Sequence, residues 1–136
     1  MQNEINDRNS LTVEDFGLIP ADFPNAIQDG AVSGCQNKLL LVKYENEFYS
    51  SGNSPPERFA RWEYCEQCAQ HLKLKSLESK AGKRAHMTEE EILDQYLVRL
   101  LSTQWMNPED THWTVKRTAI LLDWPVPRSV TEFFSA

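Results

Sequence analysis

The sequence predicts a mainly helical α+β domain, in which an irregular N-terminal arm and a β-hairpin precede about three helices. Three observations predict this class. Two prolines interrupt the first 30 residues, an aliphatic and an aromatic run flank a short polar connection, and from Pro56 onward apolar residues recur every three or four positions. Because 136 residues is close to the commonest length of one domain, we expect a single domain over residues 1–136.

The arm covers residues 1–30 and is acidic, with six Asp or Glu residues against a single arginine. Pro20 and Pro24 each remove a backbone donor and restrict the residue before them, so we expect no helix here beyond one short turn. Side chains such as Phe16 and Phe23 are too apolar for a free tail. We therefore expect the second half of the arm to lie on the body of the protein.

Residues 31–52 are expected to form a loop and a β-hairpin. The run Leu39–Tyr44 is mainly aliphatic and Glu47–Ser50 is rich in aromatic residues, and both compositions favour strands. Asn46, between the two runs, tolerates the positive φ angle that a two-residue hairpin turn requires. The stretch 51–56 contains glycine and prolines and is expected to end the hairpin.

Residues 55–127 are expected to form the helical part of the chain. The first helix begins at Ser54 or Pro55, because prolines suit a first helical turn, and it ends before Gly82. The second helix opens at Thr88, where the glutamate three positions further on gives the spacing of a capping box.

The third helix is expected to begin at Pro108, with Asn107 as its N-cap, and to end at Trp124–Pro127. Thr131–Ala136 is expected to be a short apolar tail that either docks or frays. The helical spacing predicts a set of inward-facing side chains on the three helices: Phe59, Trp62, Cys65, Ala69, Leu72, Ser76, Ile92, Leu93, Tyr96, Leu97, Leu100, Leu101, Trp113, Ile120 and Leu121.

Charge and composition argue against several classes of protein. The net charge is −6, from 20 acidic and 14 basic residues, which disfavours a general nucleic-acid coat. No stretch approaches the roughly 20 apolar residues of a membrane helix, and the polar residues 1–10 lack the apolar core of a secretion signal. The chain has three cysteines, and this odd number favours a reducing compartment. We expect a cytoplasmic protein with no membrane partner and no cofactor.

Cys65, Cys68 and His71 are the strongest candidates for a metal site. Two thiolates and an imidazole close together could hold zinc. Structural zinc sites also use a second ligand pair, which the surrounding sequence does not supply. Cys65 continues the apolar stripe of its helix, where cysteine packs as a small hydrophobe. We therefore favour a packed helix face over a zinc site or a redox pair.

Two charged clusters have a simple structural explanation. Glu109, Asp110 and His112 are spaced so that they point in different directions on a helix, and we expect solvated helix charge there instead of a catalytic triad. Basic residues near the end of the first helix suit the negative end of its dipole, although a phosphate-binding patch is the alternative. That basic cluster consists of Lys73, Lys75, Lys80, Lys83 and Arg84.

Without a catalytic constellation, we expect a non-enzymatic protein that binds a larger partner and regulates or inhibits it, as antitoxins, immunity proteins and phage-encoded inhibitors do. Acidic surfaces speed docking on basic partners such as toxins or nucleic-acid enzymes. A nucleic-acid-binding accessory protein is an alternative, which the net charge disfavours. The side chains expected to contact the partner are Glu14, Asp15, Asp22, Trp105 and Trp124.

The segment Ser33–Leu41 resembles the Gly-x-Gln-x-Lys loop and following strand of HipA-type serine/threonine kinases, the toxins of a bacterial toxin–antitoxin system. The resemblance extends over residues 31–52 and implies a nucleotide-covering loop, with Gly34, Gln36 and Lys38 as the cofactor-binding candidates. The place of the family's regulatory serine holds Ala31, and the chain lacks the His-x-Asp-x-x-x-x-Asn element that phosphoryl transfer needs. The resemblance thus implies, as a further alternative, a nucleotide-binding fragment. The whole chain also resembles small proteins of Gram-negative bacteria and their mobile elements.

Overall fold

A computed structural model describes residues 11–27 and 41–135. The described part of the chain is mainly helical with one two-stranded antiparallel sheet, which confirms the predicted α+β class. The residues group into two compact units, 1–62 and 63–136. That the chain forms a single domain stays a prediction. In chain order the elements are α1 Val13–Phe16, β1 Leu41–Tyr44, β2 Glu47–Ser50, α2 Pro55–Ala81, α3 Glu89–Thr103, α4 Pro108–Leu122 and α5 Arg128–Ser135.

The hairpin of the first unit has the predicted strands and a tight turn. β1 and β2 pair in antiparallel register from Leu41 opposite Ser50 to Tyr44 opposite Glu47. Asn46 has the predicted positive φ, at 69°, and the residue before it, Glu45, is also positive, at 50°. Two successive positive φ angles give the turn the twist that a two-residue hairpin needs. The sequence predicted a positive φ angle only at Asn46, because glutamate rarely adopts this conformation.

The described part of the arm is held against the start of α2 by polar contacts. The side chain of Asn53 accepts a hydrogen bond from the amide of Ala26 (2.7 Å) and donates one to its carbonyl (2.9 Å). Arg61 donates to the carbonyls of Pro24 (3.1 Å) and Gly52 (3.0 Å). These bonds satisfy backbone groups that no strand or helix pairs, and they hold the later arm against the residues of the first unit that begin α2.

α2 begins at Pro55, as predicted, with Ser54 as its cap. Glu57 accepts hydrogen bonds from the hydroxyl of Ser54 (2.8 Å) and from its amide (3.2 Å). The hydroxyl of Ser54 in turn accepts a hydrogen bond from the amide of Glu57 (3.4 Å), which completes a capping box in addition to the predicted prolines.

The starts of the other predicted helices are confirmed. Thr88 and Glu91 form the expected capping box at α3. Asn107 caps α4 by accepting the amide of Asp110 (2.7 Å), with proline at the first helical position. Side chains of all four helices that reach the second unit form its buried core: Leu72, Leu93, Leu97, Val115, Ala119 and Val130.

The expected tail is a helix, α5, and it docks. Val130 is fully buried in the core. The N-terminus of α5 is held by α3, because Glu90 accepts a hydrogen bond from the amide of Arg128 (2.9 Å) and Asp94 accepts one from the hydroxyl of Ser129 (2.6 Å). This capping partner lies 38 residues earlier in the chain, so no local pattern indicated it.

The inner face of α4 differs from the prediction. Ile120, expected inside, is 52% exposed, and the buried face carries Thr111, Thr114 and Thr118 instead. Their hydroxyls donate to carbonyls four residues earlier at 2.8–2.9 Å. Because each threonine satisfies its own polar group within the helix, a polar face can be buried here. Leu121 was also predicted to face inward, and it is only half-buried.

The prediction of solvated charge at the start of α4 was wrong. Asp110 and His112 are both buried. The Nδ1 of His112 lies 2.7 Å from the carbonyl oxygen of Pro108, and the imidazole ring stacks on Phe133 of α5. Phe133 belongs to the segment predicted as a tail, and its ring covers His112. The spacing of residues within α4 alone could not predict this burial.

Candidate functional site

A surface groove in the second unit, the more enclosed of two depressions in the described part of the chain, is a candidate binding site. It has a volume of about 240 Å³ and lies between α2 and the end of α3. Its lining is mainly apolar and aromatic, with three polar side chains at its α2 edge. The lining residues are Tyr64, Gln67, Cys68, His71, Leu72, Leu100 and Trp105.

Helix spacing builds the α2 side of this groove. Tyr64, Cys68 and His71 are separated by four and three positions, which places them on one face of the helix. This face lies beside the buried stripe that contains Cys65 and Leu72. The sequence predicted Cys68 and His71 of this face only as candidates for a metal site, and it did not predict Tyr64 or Gln67 as site residues.

The end of α3 presents Trp105 to the groove. Gln104 adopts a left-handed conformation, with φ of 59°, and this ends the helix. The next amide, that of Trp105, donates to the hydroxyl of Thr103 at 3.2 Å. The indole ring beyond this turn is 67% exposed. An aromatic ring left in solvent contributes little to folding, so its position suits an interaction.

The thiol of Cys68, which lines the groove, is not activated as a nucleophile. Burial raises the pKa of Cys68, and a hydrogen bond with Tyr64 opposes this only in part. Desolvation and the neighbouring Cys68 raise the pKa of the Tyr64 hydroxyl as well. Both groups therefore keep their protons at neutral pH, and the edge of the groove offers hydrogen-bonding groups instead of a thiolate nucleophile.

The structure separates the residues that the sequence grouped as a metal site. Cys68 and His71 line the groove. Cys65 is fully buried, as expected for a packed helix face, with its Sγ 3.7 Å from the Sδ of Met106 and 3.9 Å from the carbonyl oxygen of Asp110. Within residues 11–27 and 41–135, no group of three His, Cys, Asp or Glu side chains is placed to hold a metal ion.

The predicted contact residues divide between the two units, the acidic ones in the first and the two tryptophans in the second. Glu14 is exposed on α1, and Asp15 accepts a hydrogen bond from the amide of Thr12 (2.8 Å) in a capping box. Asp22 is exposed. Trp124 packs against the core of the second unit, which gives its ring a structural use. Their roles toward a partner stay predictions.

The candidates for nucleotide binding, Gly34, Gln36 and Lys38, lie outside the described residues. The HipA-like resemblance of that segment therefore stays a prediction.

Two members of the basic cluster serve the connection between α2 and α3. Lys80 donates to the carbonyl of Met87 at 2.6 Å. Arg84 donates to Gln95 (2.8 Å) and to the hydroxyl of Ser79 (3.0 Å). Lys80 lies in the last turn of α2. That the cations of this cluster serve the helix end stays a prediction.

A second depression, of about 560 Å³, lies along α3. Its described lining, which includes Val98 and Arg99, comes from that helix alone. This depression is the more open of the two, so we regard the smaller groove as the better site.

Comparison of the chain with protein-family models, curated proteins and solved structures finds no match. Among the described residues, no helix combines the length and the hydropathy needed to cross a membrane.

Proposed function

We propose that the chain is a non-catalytic protein of the cytoplasm that binds a larger protein and regulates or inhibits it, using the groove around Trp105. The observation that carries this proposal is the exposure of Trp105 beside Tyr64, since these two residue types supply much of the binding energy at protein interfaces. Both rings lie at a concave site, where a partner side chain can be surrounded by apolar atoms.

The size of the groove supports binding of a side chain over binding of a small-molecule substrate. Ligand pockets typically have about 300–1,000 Å³ and enclose most of the ligand. The groove has about 240 Å³ and is open to solvent along Trp105. One large side chain from a partner suits this volume.

The chemistry of the lining supports the same proposal. The raised pKa values of Cys68 and Tyr64 leave both groups neutral, so desolvating them against a partner costs less than burying a charge. Gln67 and His71 add polar groups at the edge, as in interfaces whose apolar centre has a polar rim.

Substitution of the two aromatic residues tests the proposal. Partners captured from the host lysate by the wild-type chain are identified, purified and titrated with wild type, Trp105→Ala and Tyr64→Ala. Each substitution is expected to weaken binding, Trp105→Ala by about 30-fold, the effect of an interface hot spot of about 2 kcal/mol. Val98→Ala is the matched control, because Val98 is equally exposed on α3 but lies outside the groove.

Retained affinity in both aromatic variants would contradict the proposal, provided that circular dichroism shows the same melting temperature as wild type. A wild-type chain that captures nothing beyond what the Trp105→Ala/Tyr64→Ala double variant captures would also count against it.

A further inference from the structure

We propose that the outward face of α2 pairs with the same face of a second copy of the chain, with the two helices parallel and in register. The observation behind this inference is an exposed stripe on the second half of α2, made of Gln70, Leu74, Leu77 and Ala81. The groove around Trp105 takes no part in this contact, so the inference goes beyond the proposed function.

The stripe has the spacing of a helix that packs along another helix. Its members are separated by four, three and four positions, the repeat that keeps one seam of a helix facing a partner helix. The side chains of α2 that face the core include Leu72, Ser76 and Ser79, which are buried. At 3.6 residues per turn, the stripe lies about 140–200° around the helix from Leu72. A second helix can therefore lie on the stripe without displacing the core.

Two neighbouring leucines form the apolar centre of the stripe. Leu74 is 60% exposed and Leu77 is 46% exposed, although both belong to a regular helix. They are three positions apart, so their side chains are adjacent on the helix surface. A parallel second copy places each leucine against its own counterpart and removes both pairs from water, which stabilises the dimer.

Gln70 suits the layer that precedes the leucines. In a parallel pair in register the two Gln70 side chains face each other, and they can hydrogen-bond across the seam because an amide both donates and accepts. In the single chain this amide donates to Glu66 at 3.0 Å, in an exposed contact one turn away. A polar layer in an otherwise apolar seam fixes the register of the two helices.

The charges beside the stripe match those of a second copy in the parallel orientation. Lys73 and Glu78 lie on opposite edges of the stripe, about 100° and 240° around the helix from Leu72. In a parallel pair, a residue on the first edge lies beside the residue five positions further on, on the second edge of the other helix. Lys73 therefore meets Glu78 of the second copy, and two-fold symmetry forms this ion pair twice.

The contact of Glu78 with Lys75 of the same helix is compatible with this pairing. The Nζ of Lys75 lies 4.0 Å from the carboxylate, and the two side chains are 52% and 74% exposed. Such an exposed pair holds a carboxylate weakly, and the two carboxylate oxygens can accept from two lysines. An antiparallel pair would instead bring Lys73 towards Lys80 of the second copy, and repulsion between these like charges disfavours it.

Sedimentation equilibrium of the full-length chain tests the inference, with loading up to about 1 mM because a small interface associates weakly. The wild-type chain is expected to dimerise. Leu74→Glu/Leu77→Glu should weaken dimerisation by about 30-fold or more, since it removes the buried leucines and places like charges in the seam. Ile120→Glu is the matched control, because Ile120 is similarly exposed, at 52%, on α4. It should leave the dissociation constant within about 2-fold of the wild-type value.

Exchange of the flanking charges tests the orientation. Lys73→Glu and Glu78→Lys should each weaken self-association by about 3- to 10-fold, because two attractive contacts become repulsive. An equimolar mixture of the two variants should recover the wild-type affinity, since each charge then meets its opposite in the other chain. Lys83→Glu controls for the change in net charge, as Lys83 is exposed and lies outside the stripe.

The remaining outcomes count against the inference. A chain that stays monomeric at the highest concentration, or a dimer that Leu74→Glu/Leu77→Glu leaves intact, would exclude the stripe as an interface. Stronger association of Lys73→Glu would contradict the parallel orientation. Trp105→Ala is expected to leave self-association unchanged. A dimer that Trp105→Ala abolishes would assign the second copy to the groove, whereas loss of a captured partner alone would concern only the proposed function.

Discussion

Phe133 lies flat on the imidazole of His112, with ring centroids 3.7 Å apart and ring planes 5° from parallel. The Nδ1 of His112 carries its proton toward the carbonyl of Pro108, since a carbonyl oxygen only accepts. The last helix is thus fixed to the first turn of α4. The stack covers a buried polar ring that α4 alone would leave in water.

Removal of the stacking ring should destabilise the second unit. Phe133→Ala is expected to lower the free energy of unfolding by about 1–2 kcal/mol, from lost apolar burial and lost stacking. Urea denaturation followed by tryptophan fluorescence measures this. Glu132→Ala, an exposed change on the same helix, should stay within about 0.5 kcal/mol of wild type. Equal stability of Phe133→Ala and wild type would show that the stack does not hold α5.

Two buried serines of the α2 region should respond to alanine with opposite signs. The hydroxyl of Ser54 caps α2, so Ser54→Ala is expected to cost about 1 kcal/mol. The hydroxyl of Ser76 is buried with no hydrogen-bond partner in the part of the chain that the structure describes. Ser76→Ala removes this unsatisfied group and is expected to raise stability by up to about 1 kcal/mol. Thermal melts of the two variants compare them directly, and a destabilised Ser76→Ala would reveal a partner for that hydroxyl.

The raised pKa of Cys68 should make stability fall at alkaline pH. The unfolded chain loses the thiol proton above its ordinary pKa of about 8.5, whereas the folded chain keeps it, so ionisation favours unfolding as the pH rises. We expect the loss of stability between pH 7 and pH 9.5 to be smaller in Cys68→Ser than in wild type. Urea denaturation at the two pH values measures the difference, and an identical loss in both proteins would contradict the predicted role of Cys68.

Arg117 and Glu66 form a bidentate ion pair that a lysine at position 117 should not reproduce. The Nε of Arg117 lies 3.0 Å from one carboxylate oxygen of Glu66, and its Nη2 lies 3.2 Å from the other. Both side chains are largely shielded, and a lysine offers a single point charge in place of the planar fork. Arg117→Lys is expected to lower the free energy of unfolding by about 1 kcal/mol. A double-mutant cycle with Glu66→Gln should give a coupling energy that falls in 1 M salt, and zero coupling would leave the pair without a stabilising role.

Local signals in the sequence were sufficient to predict the starts of α2, α3 and α4 and the hairpin. Thr88 and Asn107 act through residues three positions away, and the turn at Asn46 needs only its own backbone. Each of these is decided within one turn of chain, so residue type and spacing carry the information.

The predictions that were wrong or missing concern features that depend on contacts between residues far apart in the sequence. His112 is buried because Phe133 covers it, and α5 begins where Glu90 supplies a cap from another helix. The groove likewise needs the packing of α2 against the end of α3 to bring Tyr64 beside Trp105. The sequence indicated Trp105 as an exposed ring, but not the residues around it.

Capping of α5 by side chains of another helix has a consequence for motion. A helix of eight residues is too short to persist by itself in water. When the bonds to Glu90 and Asp94 break together, the whole segment is therefore expected to detach as one unit, exposing the slot of Val130 and the imidazole face to solvent. Such partial opening requires less free energy than global unfolding, so the amides of α5 should exchange their hydrogens sooner than those in the middle of α3.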